Sequence, residues 1–119
     1  MLEFKLQLRL WIENQSGQII FGPGRVLLLR KVKELGSLNK AAKSLGMSYR
    51  AAWGKLKASE KALGKPLLVT NSTRGASLTP FAEQLISLYD DLTAHVQTYA
   101  NQHLKSFNLE EILEQNDQN

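Results

Sequence analysis

The sequence predicts a mainly α protein with small β elements, and three observations carry that expectation. Apolar residues recur at helical spacing through most of residues 25–63 and again from residue 80 onward. Short aliphatic stretches before and after the first helical block are bounded by turn residues and read as strands. Glycine, serine and proline stand where helices start and stop. A chain of 119 residues with 43% hydrophobic and 22% charged residues fits one ordinary domain around one core, and residues 1–119 are expected to form it.

At the N-terminus, Phe4, Leu6, Leu8, Leu10 and Ile12 fall on every second position, the pattern of a half-buried strand. Asn14-Gln15-Ser16-Gly17 supplies a turn and Gln18-Ile19-Ile20-Phe21 a return strand, so residues 4–21 are expected to form a hairpin. Gly22-Pro23-Gly24 ends it, with Pro23 suited to a first helical turn.

Three helices are expected over residues 25–63. In the first, Leu28, Leu29, Val32 and Leu35 share a face, and Gly36 is placed to close it in the left-handed region. Ser37 caps a second helix from Leu38 to Leu45, Gly46 stops it, and Ser48 caps a third that reaches about Leu63. A second hairpin follows over 67–78, with Asn71-Ser72-Thr73-Arg74-Gly75 as its basic tip. Thr79 caps a long helix over 80–103, in which Phe81, Leu85, Leu88, Leu92, Val96 and Tyr99 follow steps of three and four. The tail over 108–119 is acidic, with Leu109, Ile112 and Leu113 enough for one helical turn or two.

Composition narrows the function classes. The chain has no cysteine, hence no disulfide framework or thiolate metal site, and His95 and His103 stand without a ligand cluster around them. No cofactor is expected. Glu3, Lys5 and Arg9 interrupt the apolar N-terminus, so no signal core forms, and nowhere do eighteen apolar residues run together. A cytoplasmic protein without a membrane partner is the expectation. An enzyme is disfavoured, because Gly22-Pro23-Gly24 lacks the further residues of a nucleotide loop and no nucleophile completes a triad with His95. His95 reads instead as an i,i+4 surface partner of Asp91.

Charge gives a positive direction. Residues 1–21 are neutral, 22–75 carry twelve basic and two acidic residues, and 76–119 carry one basic and seven acidic. Such a concentration of positive charge is a footprint for a polyanion, with double-stranded DNA the leading candidate. The tight corner between the second and third helices has the parts of a helix-turn-helix: Ala42 permits close approach, Gly46 permits positive φ, and Ala41, Leu45, Met47, Ala52 and Leu56 form the wedge. With the hairpin of 67–78 directly behind, helices 25–63 become a winged helix-turn-helix whose reading motif is 38–63.

On the third helix, Tyr49, Arg50, Trp53, Lys57 and Lys61 share one stripe, while Ala52, Leu56 and Leu63 lie on another. Ser48, Tyr49 and Arg50, nearest the N-terminus, are expected against base edges in the major groove, Arg50 as a fork onto guanine. Lys40, Lys55 and Lys57 are expected on phosphates, and Asn71, Thr73 and Arg74 at the wing tip on backbone or minor groove. Trp53 suits either a core edge or a base contact, and Tyr49 either the first helix or DNA.

The run Ser37-Leu38-Asn39-Lys40-Ala41-Ala42-Lys43-Ser44-Leu45-Gly46-Met47-Ser48-Tyr49-Arg50-Ala51-Ala52-Trp53 resembles the helix-turn-helix of the ModE-type molybdate-responsive regulators, relatives of the LysR type. Leu78 to Tyr89 is similar to the end of their wing and the start of their linker helix. The resemblance covers about residues 18–100. It implies a winged helix, a long helix joining two copies, operator DNA as partner, and DNA-facing roles for positions 48–50, 53 and 71–75. Full-length members bind molybdate or tungstate in C-terminal domains, which the acidic residues after the long helix do not resemble. Three readings follow: a sensorless paralogue, a constitutive binder, or a partner for a separate effector-sensing protein.

A homodimer through Phe81, Leu85, Leu88, Leu92, Val96 and Tyr99 is expected, with Ala82, Ile86 and Tyr89 widening the apolar surface offered to the second copy. The expected function is a sequence-specific, dimeric transcriptional regulator tied to molybdate or metal homeostasis. The alternatives are a non-specific architectural DNA protein and a protein-interaction module that leaves DNA alone.

Overall fold

Phe21, with no exposed surface, is the point at which the short N-terminal strands meet the helices. A computed structural model of the chain describes residues 4–71 and 75–117. Their contacts sort into two units, Leu10–Tyr89 and a smaller one that gathers the residues up to Arg9 with those from Asp90 on, where the sequence predicts one domain.

In the larger unit the order is β1 (Ile12–Glu13), β2 (Ile19–Phe21), α1 (Pro23–Leu35), α2 (Leu38–Ser44), α3 (Tyr49–Leu63), β3 (Leu68–Thr70) and β4 (Ala76–Leu78). It closes with the beginning of α4 (Pro80–Ser106). Leu28, Leu29 and Val32 of α1, Ala41 and Ala42 of α2, Ala52 and Leu56 of α3, and Leu67 form the core. The small alanines let α1, α2 and α3 pack closely, which fixes the angle at which α3 stands. Between α2 and α3 the chain turns through Gly46 at φ +70°, and the Met47 N–H donates to the Ala42 carbonyl at 2.9 Å. A residue with a Cβ would be strained there. Ser48 caps α3 through its Oγ, which accepts from the Ala51 N–H at 3.1 Å.

The wing is the antiparallel pair β3–β4, in the register Leu68↔Leu78, Val69↔Ser77 and Thr70↔Ala76. Its base is held at several points. The Ala76 N–H donates to the Gly36 carbonyl at 2.9 Å, and the Thr79 N–H to the Leu67 carbonyl at 3.0 Å. Thr79 Oγ1 donates to the Pro66 carbonyl at 2.9 Å and accepts from the Ala82 N–H at 3.1 Å, so one buried hydroxyl both ties the wing and caps α4.

The N-terminal hairpin is shorter than the alternation of residues 4–21 predicts. Only Ile12–Glu13 pairs with Ile19–Phe21, and the register shifts between Ile12 and Glu13. Residues 4–9 belong to the smaller unit, where side-chain amides take the place of a partner strand. The Leu6 N–H donates to Asn101 Oδ1 at 3.0 Å, the Leu8 N–H donates to Gln97 Oε1 at 3.1 Å, and Gln97 Nε2 donates to the Leu6 carbonyl. Alternation predicts an extended chain, but it does not say what satisfies its backbone groups.

The long helix runs to Ser106, three residues past its expected end, and the acidic tail forms a helix of its own, α5 (Leu109–Asp117). Near the end of α4, Tyr99 stacks on His103 at a ring separation of 6.0 Å, and His103 meets Phe107, just past the helix, edge-on at 4.7 Å. His95 Nδ1 bonds the carbonyl oxygen of Asp91 at 2.6 Å, so the expected side-chain pair is a bond to main chain instead.

Ala82, Ile86 and Tyr89 are the buried residues of α4 and complete the core of the larger unit. That corrects their expected place on a surface offered to a second copy. Phe81 and Leu85 also pack partly against the core, whereas Leu88, Leu92 and Tyr99 are exposed. Among the described residues no helix is long and apolar enough to cross a membrane.

Candidate nucleic-acid interface

The sequence of α3 puts its small and apolar residues, Ala52, Leu56 and Ser59, into the core, so its remaining faces are presented outward. Tyr49, Arg50, Trp53, Lys57 and Lys61 are all exposed, Tyr49 by 51% and Trp53 by 47%. Both aromatic rings therefore stand half out of the protein, and Tyr49 is not absorbed by α1.

Tyr49 and Trp53 form one wall of a cleft between α3 and the wing. The start of α2 (Leu38, Asn39), the strand residues Leu68 and Thr70, and Asn71 just beyond β3 contribute to the other sides, around about 800 Å³. Its floor is apolar, from Leu38, Leu56 and Ala76, and the rest of its lining carries amide and hydroxyl groups together with the ion pair of Lys57 and Glu60. Such a surface suits a ligand with flat apolar edges and a polar backbone.

Two groups stand out among the cations. Lys31, Lys33 and Lys57 are ion-paired with Glu34, Glu83 and Glu60 at 3.3, 3.0 and 3.1 Å. Lys40, Lys43, Arg50, Lys55 and Lys61 have no such partner among the described residues. The second group lies on α2 and α3 and is free to meet phosphate. Arg25 is different again, since its Nε–H donates to the buried Ser59 hydroxyl at 3.2 Å and partial burial lowers its pKa.

Of the expected positions, Tyr49, Trp53, Lys57 and Asn71 line the same cleft. Ser48 caps α3, Tyr49, Arg50 and Trp53 occupy its first turns, and Lys40 stands on α2. Lys55 lies two residues from Trp53, toward another side of the helix. Asn71 lies at the wing end, but its Oδ1 accepts from the Gly75 N–H at 2.9 Å, which commits that atom to the turn. Thr73 and Arg74 lie outside the described residues.

Sequence reasoning missed Glu60. Its Oε2 accepts from the Leu67 N–H at 2.7 Å and its Oε1 lies 3.1 Å from Lys57 Nζ, which in turn sits 5.6 Å from the centre of the Trp53 ring. Burial pushes the Glu60 carboxyl up, but the Leu67 N–H, the bond and charge of Lys57 and the Leu68 N–H outweigh it and hold the group below its ordinary value. The available signal was its isolation, as the single acid between Glu34 and Glu83 and three residues from a lysine.

Residues 25–83 match the family described as bacterial regulatory helix-turn-helix protein, lysR family. The transcriptional regulator ModE of Haemophilus influenzae is 39% identical over 94 residues, which are 76% of this chain and 33% of that protein. ModE of Yersinia pestis is 35% identical over 114 residues, 92% and 39% of the two chains. The molybdenum-pterin-binding protein MopB of Rhodobacter capsulatus is 36% identical over 93 residues, 75% and 34%. The chain therefore spans about a third of the length of these relatives. Among solved structures, the DNA-binding domain of CbnR in complex with DNA superposes with a TM-score of 0.56 at 21% identity, covering 71% of this chain and 97% of that one. ArgP from Mycobacterium tuberculosis superposes at 0.51 with 26% identity, covering 70% and 30%. The ModE-type resemblance and the winged helix-turn-helix fold are borne out, and the relatives named here are regulators and a binding protein rather than enzymes.

Proposed function

The chain belongs to the bacterial regulatory helix-turn-helix proteins of the LysR family, and from that premise we propose that it is a sequence-specific, DNA-binding transcriptional regulator that acts as a homodimer. The observation that carries this reading is the outward face of α3, where Tyr49, Arg50 and Trp53 are exposed and where Arg50, Lys55 and Lys61, unlike Lys57, have no ion-pair partner among the described residues. Ser48, Tyr49 and Arg50 read base edges, with Arg50 forking onto guanine. Lys40 and Lys55 hold the phosphates, and the wing, with Asn71, Thr73 and Arg74, meets the flanking backbone or minor groove. Two copies joined along α4 through Leu88, Leu92, Val96 and Tyr99 present two reading helices one DNA turn, about 34–36 Å, apart.

A role in molybdate or metal homeostasis comes with the kinship to ModE and MopB. Selection of bound duplexes from a genomic pool by the purified chain, run with and without molybdate, tests the whole reading. Enrichment of a palindromic sequence is the expected result, and its dependence on molybdate assigns the effector. Recovery of a random pool would remove sequence specificity and leave an architectural DNA protein.

A further inference from the structure

We propose that Glu60 keeps Lys57 off the DNA backbone and holds its ammonium over Trp53, so that the indole rather than this cation addresses the duplex. The inference rests on the DNA-binding reading and changes what one member of that surface does.

An acid inside a surface meant for a polyanion weakens binding, so its presence calls for a cause. The bond to the Leu67 N–H does not supply one, because the neutral carbonyl of a glutamine accepts an N–H as well. What requires the charge is the other oxygen, Oε1, 3.1 Å from Lys57 Nζ. The pair is asymmetric: the Glu60 side chain is 13% exposed and Lys57 53%. The carboxylate is therefore fixed to the base of the wing, and the lysine comes to it. Reaching back along the helix, the Lys57 ammonium lies 5.6 Å above the Trp53 ring, within the range of a cation–π contact. One face of the indole is then covered by the cation, and the ring is steadied at the mouth of the cleft between α3 and the wing. Arg50 and Lys61, on the same stripe as Lys57, have no such acid among the described residues and remain available to phosphate.

The salt dependence of DNA binding reads this directly, since each phosphate neutralised contributes about 0.9 to the slope of log K against log salt. The test uses the full chain and a mixed-sequence duplex of about 30 base pairs, titrated by fluorescence anisotropy from about 50 to 200 mM salt. Glu60→Gln keeps an acceptor for the Leu67 N–H and releases Lys57. It is expected to bind tighter at low salt and to steepen the slope by about 0.9, a further three- to fourfold loss across that range. Lys57→Met alone is expected to keep the wild-type slope, and Glu60→Gln with Lys57→Met to restore it. A shallower slope in Lys57→Met, or an unchanged one in Glu60→Gln, overturns the inference while leaving DNA binding intact. A wild-type chain that ignores the duplex at the lowest salt overturns the DNA-binding reading first, and this one with it.

Discussion

The Tyr89 hydroxyl donates to the main-chain carbonyl of Leu10 at 2.6 Å, and its ring meets Phe21 edge-on at 5.9 Å and 81°. One side chain of α4 thus pins the chain just ahead of β1 and closes the core beside β2. Tyr89→Phe keeps the ring contact and leaves a carbonyl without that donor. A loss of about 1–2 kcal/mol is expected, read as a lower urea midpoint with an unchanged slope. An unchanged midpoint would mean that solvent already serves the carbonyl.

Glu60 makes stability depend on pH in a definite direction. Its folded pKa lies below the ordinary value of 4.5, so its contribution is complete above that value and is lost as pH falls through the folded one. Thermal midpoints between pH 7 and pH 3 are expected to fall more for the wild type than for Glu60→Gln. Parallel curves would show that the carboxylate is no better placed in the folded chain than in the unfolded one.

Arg50 and Lys55 separate reading from holding. With the selected duplex and a scrambled control, Arg50→Ala should reduce discrimination by about 1–3 kcal/mol. Lys55→Ala should weaken both duplexes equally and make the salt slope shallower by about 0.9. If Arg50→Ala lowers both affinities alike, the protein holds DNA without reading it at that position.

Leu88 and Leu92 are 58% and 42% exposed in a single chain, so replacing them disturbs little within it. Leu88→Asp with Leu92→Asp is expected to shift sedimentation from dimer to monomer while far-UV circular dichroism stays as it was, because the buried residues of this helix are Ala82, Ile86 and Tyr89. A monomeric wild type would end the dimer proposal.

Much of this architecture is local in origin and was therefore legible. Ser37 and Ser48 announce their helices because a hydroxyl at the cap accepts from an N–H three residues on, and both do so in the fold. Gly46 marks the corner because only a residue without Cβ rests easily at its φ, and the alternation of Ala52 and Leu56 with charged neighbours already sorted α3 into an inner and an outer side.

Other choices were made between distant parts of the chain. Residues 4–9 were extended by their own pattern, yet Gln97 and Asn101, some ninety positions away, supplied the partners that a strand was expected to give. Periodicity drew one main apolar stripe on α4 with Ala82, Ile86 and Tyr89 at its edge, and packing against the larger unit's core buried those three instead. Glu60 looked like one surface acid among lysines until the Leu67 N–H was brought to it. Sequence by itself determined where helices and turns begin and what each face carries, because caps, φ preferences and periodicity act within a few residues. Which face was covered, and which charges were already spoken for, was decided only by the tertiary structure, because burial and ion pairing depend on neighbours that no local pattern names.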